Sequence, residues 1–167
     1  MAWTNSKIFS AIIHDALGNT SAIDLDSDAS IKAALYNDTV APNQLVTAAN
    51  SCYAAGVWTG GGTPNIVDTG SSAPAGWPYA GIALTWGSAT RFTTYVTATV
   101  KFDADDTPSA NNVTTHTAAF GTLVYDDTMA APADQGICYN YFGGTNSVTL
   151  GTFTIVWHGS GVLTLAL

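Results

Sequence analysis

The most constraining feature of the sequence is a rhythm of short segments rich in β-branched and aromatic residues, each ended by Gly, Pro or Asp. Thr115–Tyr125 and Ile137–Phe142 are clear examples, separated by the Asp126-Asp127 turn and Pro132. Turn residues at roughly ten-residue spacing between short strands are typical of antiparallel sandwiches and barrels. The sequence therefore predicts an all-β fold, an antiparallel β-sandwich of the jelly-roll or immunoglobulin-like kind.

Composition supports this fold class. All 12 acidic residues are Asp and none is Glu, and Thr is abundant. Glu is a good helix former, whereas Asp favours caps and turns and Thr favours strands, so a mainly helical chain is not expected. With 167 residues, 47% of them hydrophobic, the chain fits a single domain. We expect that domain to span residues 1–167, with an N-terminal arm and helix over residues 1–18.

One helix and several further strands are predicted along the chain. From Ser6 to Leu17, apolar residues recur at spacings of three and four, which predicts a short helix that Gly18 and Asn19 would end. The C-terminal segments Thr152–Trp157 and Val162–Leu165 are predicted to pair as a hairpin about Gly159. These two segments belong to the longer predicted strands Ser147–Trp157 and Val162–Leu167. Strands are also predicted at Ile23–Asp26, Ile31–Tyr36 and Arg91–Phe102, the last as one long strand or a strand pair.

The charge balance excludes some partners. The net charge is −8, and the basic residues are only Lys7, Lys32, Arg91 and Lys101. Phosphate backbones are bound by clustered Lys and Arg, so a nucleic acid partner is not expected. No stretch approaches the roughly 18 consecutive apolar residues of a membrane span, and the N-terminal residues lack the apolar run of a signal peptide. We therefore expect a protein that is made in a cytoplasm and does not enter a membrane.

Some acidic segments resemble catalytic or metal-binding sequences but lack required parts. Asp68-Thr69-Gly70 resembles the active-site loop of aspartic proteases, in which two Asp share one proton. The sequence holds one copy of this motif, and a turn explains the same residues. The other acidic groups lack the Gly and the later Glu of a calcium-binding loop. These groups comprise Asp24, Asp26, Asp28, Asp103, Asp105 and Asp106.

The histidines and cysteines form no recognisable site. The three histidines are far apart in sequence, and no Gly-x-Ser-x-Gly motif surrounds Ser160, which follows His158 by two residues. Cys52 and Cys138 lack the close spacing of zinc or redox motifs, and we expect buried free thiols. The sequence therefore predicts no enzymatic activity, no metal and no cofactor.

The aromatic residues instead suggest an interface. Residues 60–87 are rich in Gly and Pro yet hydrophobic, as in a folded loop that contacts a neighbour. Residues 1–9 have no internal partner in the sequence pattern, and we expect an arm that reaches another subunit. Protein interfaces deplete charge and enrich aromatic residues, although stacking on a carbohydrate would use the same side chains. The candidate interface residues are Trp3, Ile8, Phe9, Trp58, Trp77, Tyr79 and Trp86.

The order of certain segments carries a family resemblance. The first segments are Trp3–Phe9, Ile23–Asp28, Ile31–Asn37 and Cys52–Gly56, and the later ones are Val100–Ala104, Gly121–Asp126, Tyr139–Gly144 and Phe153–Trp157. In this order the chain resembles a family of small structural proteins of tailed bacteriophages. The resemblance covers most of the chain, but its motifs are short and structural.

The resemblance implies a virion component on the capsid surface, either a capsid decoration (cementing) protein or a minor capsid protein, with the major capsid protein as its partner. A phage tail structural protein and a carbohydrate-binding β-sandwich module are the alternatives. We also expect a homo-oligomer, with a trimer as one form, because decoration proteins act at symmetry axes where rings of subunits bury their edges. An acidic exterior would avoid competing for the packaged genome.

Overall fold

The computed structural model describes residues 3–19, 25, 31–61, 65, 76–86, 92–93, 99–110 and 112–166. Within these residues the protein is mainly β and its strand pairs are antiparallel, which confirms that part of the predicted fold class. The strands are β1 (Lys7–Ile8), β2 (Ile31–Tyr36), β3 (Ile82–Ala83), β4 (Phe92–Thr93), β5 (Thr99–Phe102), β6 (Thr107–Pro108), β7 (Thr114–Asp126), β8 (Gly136–Gly151), β9 (Thr154–Ile155) and β10 (Leu163–Ala166). The helices are α1 (Ser10–Gly18) and α2 (Ala48–Ser51).

The largest sheet has five strands in the order β1-β8-β7-β2-β3. Its centre is the hairpin of β7, with 13 residues, and β8, with 16. In the connecting turn, Asp126 Oδ1 accepts hydrogen bonds from the backbone N–H of Thr128 at 2.9 Å and from its hydroxyl at 2.6 Å. Asp favours turns because its side chain can bond the backbone two residues on. The predicted Asp126-Asp127 turn is confirmed.

Strand β2 lies in the interior of this sheet and pairs with β7 from Ile31, opposite Asp126, to Tyr36, opposite Gly121. The strand was predicted from a period-two pattern, but its alternate residues do not differ in exposure: Leu35 and Tyr36 are both fully buried. Both faces of β2 are covered, and Tyr36 packs edge-on against Trp58 with 5.1 Å between ring centres. A strand that is buried on both faces does not show the alternation of apolar and polar residues that marks a strand with one exposed face.

Two smaller sheets have the strand orders β10-β5-β4 and β6-β9. The predicted C-terminal hairpin is therefore wrong, because its two segments pair with different strands. The turn before β10 does form, with the Gly161 N–H donating to the carbonyl of His158 at 2.6 Å. The Val162 N–H then donates to the carbonyl of Phe102 at 2.9 Å, which directs β10 onto β5.

The other strand predictions have mixed outcomes. The segment Arg91–Phe102 contains β4 and β5, which pair with each other, so the strand-pair interpretation is correct for the described part. Strand β8 runs through Gly143-Gly144, where a break was expected, because a bulge with Gly143 at φ 83° absorbs extra residues. Of the predicted strand Ile23–Asp26, all but Leu25 lies outside the described residues.

The N-terminal helix forms, but it begins later than predicted. Helix α1 begins at Ser10 because the preceding residues form β1, which pairs with Cys138 and Tyr139 of β8. The Phe9 N–H also donates to the carbonyl of Ile137 at 3.0 Å, which holds the chain extended up to the helix. The helix ends at Gly18, as expected. The next residue, Asn19, adopts the left-handed conformation and donates its N–H to the carbonyl of Asp15.

The prediction of an N-terminal arm is wrong. Trp3 is 1% exposed, and its indole Nε1 donates to the backbone carbonyl of Asn37 at 2.8 Å. The segment is therefore packed against its own chain through Trp3, β1 and Phe9. No helix in the described parts of the chain is both long and apolar enough to cross a membrane.

Candidate functional site

Most of the predicted interface residues lie in the protein's own core. Trp3, Phe9 and Trp58 are at most 1% exposed and form one aromatic cluster, with ring centres 5.7 Å apart for Trp3–Trp58 and 6.1 Å apart for Phe9–Trp58. Edge-to-face packing at these distances stabilises the folded chain. These side chains do not reach a partner in this conformation.

The residues of the Gly- and Pro-rich loop are placed similarly. Trp77 is fully buried, and its Nε1 donates to the carbonyl of Ala33 at 2.9 Å. Trp86 is half-buried, and its Nε1 donates to the carbonyl of Asp103. Ile8 is half-buried and packs against the core, which leaves Tyr79, at 39% exposed, as the candidate whose side chain is most open to solvent.

Only some of the acidic residues that resembled catalytic or metal sites lie within the described part of the structure. Asp68, Asp24, Asp26 and Asp28 lie outside the described residues. In the other group, Asp103 Oδ2 lies 2.5 Å from Lys101 Nζ, and Asp106 Oδ1 accepts the N–H of Trp157 at 3.3 Å. These carboxylates stabilise the chain around β5 and β9. The described part of the chain holds no group of three or more His, Cys or Asp side chains that could bind a metal ion.

The histidines do not form a nucleophile-base pair with Ser160. His14 and His158 are exposed, whereas His116 is buried with its ring centre 4.6 Å from that of Phe153. It is the backbone N–H of Ser160, not its hydroxyl, that bonds Nδ1 of His158, at 3.0 Å. That bond belongs to a turn.

The two cysteines are free and buried, as predicted. Burial raises the pKa of the Cys138 thiol to about 12. Burial also raises the pKa of the Cys52 thiol, with a further contribution from the nearby Asp134 carboxylate. Because the thiolate is the reactive form, neither cysteine has the properties of a catalytic nucleophile at neutral pH.

A groove lies beside β8 in the described structure. It consists of three clefts of about 490, 280 and 310 Å³. The first two share Ser6, Asn140 and Val162, and the second and third share Phe142 and Val156, so the clefts adjoin. One wall is β8, and the other is formed by residues 153–158 and 160–164. We call these two walls together the β8 edge.

Hydrogen-bonding groups and apolar side chains alternate along the β8 edge. The Asn140 side chain bridges the groove through its Nδ2, which donates to the carbonyl of Val162 at 3.2 Å. The N–H of Tyr141 donates to Ser6 Oγ at 2.9 Å. Phe142 is half-buried, and Val156 is 71% exposed. Such a surface suits a polypeptide better than an ion or a small charged substrate.

The two walls of the β8 edge contain no charged residue of their own, although Lys7 lines the first cleft and Asp106 Oδ1 accepts the N–H of Trp157. Residues 135–167 contain no Asp, Glu, Lys or Arg, although the whole chain has a net charge of −8. The formal charges concentrate elsewhere, for example around Lys32 Nζ, which lies 2.6 Å from Asp127 Oδ2. Asp134 lies in the same acidic region, and its pKa is raised by burial and by repulsion from Asp127.

Sequence reasoning missed this edge. The distribution of charge could have indicated it, because the sequence alone shows that residues 135–167 contain no Asp, Glu, Lys or Arg. Large Trp side chains do not by themselves indicate an interface, since they are as typical of cores as of interfaces.

Comparison of the chain with protein-family models, with curated proteins and with solved structures finds no match. The resemblance to phage structural proteins therefore stays a prediction.

Proposed function

We propose that the protein is a non-enzymatic structural component of a tailed-phage virion, a capsid decoration or minor capsid protein that binds the major capsid protein. The observation that carries this proposal is that the two walls of the β8 edge hold no Asp, Glu, Lys or Arg, in a chain whose net charge is −8. Desolvating charged groups is costly, and the cores of protein interfaces are depleted in charge. The β8 edge is thus the described surface best suited to contact another protein subunit.

Exposed apolar side chains at this edge support the same function. Leu150 is 66% exposed and Val156 is 71% exposed. Each aliphatic side chain that becomes fully buried contributes about 1.5–3 kcal/mol. Two such side chains on β8 and beside it would favour binding to a neighbouring subunit.

We also propose how the strands are arranged in the fold. We infer that the complete chain is a β-sandwich of jelly-roll or immunoglobulin-like order. Phe153, next to β9, supports this because its ring contacts Phe142 of β8, with centres 6.1 Å apart, and Trp77, with centres 5.7 Å apart. Contacts of this kind join the β6-β9 pair to the large sheet.

The function can be tested by adding the purified protein to phage capsids that lack it. We expect the protein to sediment with the capsids and to raise their temperature of disruption, because a ligand of the assembled state stabilises that state. Lysines placed at the exposed Thr145 and Thr149 of β8 should weaken this binding. Aspartates placed at Ala41 and Thr59, which are exposed outside β8, should not.

Other outcomes of that experiment separate the alternatives. Binding to purified tails but not to capsids would contradict the capsid assignment and support a tail structural protein. Specific binding to a glycan array that is lost in Phe142→Ala would support a carbohydrate-binding module. Binding to none of these would contradict the proposal.

A further inference from the structure

We propose that the protein binds a small neutral apolar molecule, of the size of benzene, in a cavity between helix α1 and the strand pair β5-β10. The inference concerns the chain itself and does not depend on its location in a virion. It rests on the side chains that line the cavity, on the volume of the cavity, and on its opening to solvent.

The floor of the cavity is one face of the two paired strands. Leu163 of β10 lies opposite Phe102 of β5, and Leu165 lies opposite Val100. Because successive side chains of a strand alternate between its faces, these four share one face, and all four line the cavity. Lys101 stands between two of them on β5 and belongs to the opposite face, which keeps its charge away from the cavity.

The roof of the cavity is the apolar face of α1. Ile12 and Ile13 precede Ala16 by four and three residues, so the three side chains share one face of the helix. All three line the cavity, and Ile8 of β1 and Ile137 of β8 complete part of its wall. Ala16 has the smallest side chain of these five, and a larger side chain at its position would extend into the space below the helix.

The volume and lining of the cavity define what it can hold. Its volume is about 150 Å³, and all ten described residues that line it are apolar. A buried water needs about two to four polar partners, and a charged ligand would lose its hydration without replacement, so this wall favours neither. Apolar cavities of about this volume, lined by Leu, Ile and Phe, bind benzene or xenon. The cavity therefore suits a compact hydrocarbon, and it is too small for a drug-sized molecule.

The cavity reaches solvent beside Ala16, which lines it and is also exposed. The side chain of Leu17 is 84% exposed and does not cover this opening. The buried carboxylate of Asp15 is not part of the wall, because its Oδ2 accepts a hydrogen bond from Gln135 Nε2 at 2.9 Å. A ligand can thus enter without unfolding of α1 and without passing a buried charge.

The first test titrates the protein with benzene and follows the melting temperature. A ligand that binds only the folded state should raise this temperature by about 3–5 °C at ten times its dissociation constant. Ala16→Leu should abolish the rise, because the added side chain fills the opening, and Leu is a good helix former. Ala49→Leu makes the same change at an exposed position of α2 outside the cavity and should keep the rise.

A second measurement locates the ligand and needs no variant. In methyl NMR spectra of the unchanged protein, the ring current of benzene should shift the resonances of Ile13 and Leu165, which line the cavity. The methyl groups of Ile31 and Leu84 provide the control, because these residues are fully buried but lie outside the cavity wall. Their resonances should stay unchanged.

The proposal is overturned if benzene leaves the melting temperature of the unchanged protein the same throughout the titration. It is also overturned if Ala16→Leu responds as the unchanged protein does, or if Ile31 and Leu84 shift as much as Ile13 and Leu165. Neither measurement uses capsids, so these outcomes are independent of the test of the proposed function.

Discussion

The indole nitrogen of Trp3 donates a hydrogen bond to the backbone carbonyl of Asn37, 2.8 Å away, and so joins the N-terminal segment to the residues that follow β2. Trp3 also packs against Trp58, Tyr139 and Tyr141. A segment that sequence pattern assigned to a neighbouring subunit is thereby part of the chain's own core.

Replacing Trp3 tests this packing. Trp3→Ala removes a buried aromatic side chain and leaves the Asn37 carbonyl without its partner, so we expect a loss of about 3–5 kcal/mol in the free energy of unfolding. Chemical denaturation followed by circular dichroism would measure it. Thr4→Ala, at an exposed neighbouring position, should change stability by less than about 0.5 kcal/mol. A Trp3→Ala loss below about 1 kcal/mol would instead support a free arm.

Two glycines provide a matched test of packing around β7 and β8. A Cβ at Gly121 would lie 2.5 Å from the Trp3 ring and 2.6 Å from the carbonyl of Asn140, whereas a Cβ at Gly144 would meet nothing within 4 Å. Gly121→Ala should therefore destabilise the protein by about 1–3 kcal/mol or more through overpacking. Gly144→Ala should be nearly neutral. Equal melting temperatures for the two variants would show that Trp3 does not occupy this position.

In the acidic region near the turn between β7 and β8, the contribution of Asp134 to the stability of the fold should depend on pH. Burial, followed by repulsion from Asp127, raises the pKa of Asp134 above 3.8, and Lys32 opposes this shift. The folded state therefore favours the protonated carboxyl. Its contribution to stability is fully present below pH 3.8 and is lost as the pH rises through the folded value.

The variant Asp134→Asn should accordingly melt at a higher temperature than the unchanged protein at pH 7. The difference should shrink as the pH is lowered toward 3.8, because the natural carboxyl then also becomes neutral. Asn also suits the backbone here, since Asp134 has a φ of 57°. Asp38→Asn makes the same change in net charge at an exposed site and should have little effect. A lower melting temperature for Asp134→Asn at pH 7 would contradict this account of the region.

The buried cysteines predict low thiol reactivity. Burial raises the pKa of Cys138 to about 12 and raises that of Cys52 as well, so little thiolate exists at pH 8 and access is restricted. We expect a disulfide reagent to label neither thiol in the folded protein and both thiols in guanidinium chloride. Rapid labelling of Cys138 without denaturant would show that β8 and β1 do not cover it.

The fold was predictable where local sequence decides structure, as in the turn at Asp126 and the helix end at Gly18. Strand partners were not predictable, because the residues that β9 and β10 pair with lie 46 to 67 positions earlier in the chain. A short turn near Gly159 is compatible with a hairpin and also with two strands that separate. Long-range hydrogen bonds, such as that from Val162 to Phe102, decide between them.

The candidate site was harder to predict than the fold. Trp58 and Trp77 looked like interface residues because they are large and lie among Gly and Pro, yet both are fully buried. An aromatic side chain has the same chemistry in a core and at an interface, and only its surroundings distinguish the two. The absence of charge after Asp134 was the more informative signal, since a core imposes no such requirement on exposed positions like Thr149.

The central claim, that the protein is a structural component of a virion, is tested most directly by cryo-electron microscopy of purified particles of a phage that encodes it. The account predicts density for the chain on the outer surface of the capsid, with residues of the β8 edge in contact with protein. Particles from which the protein is absent would contradict the account.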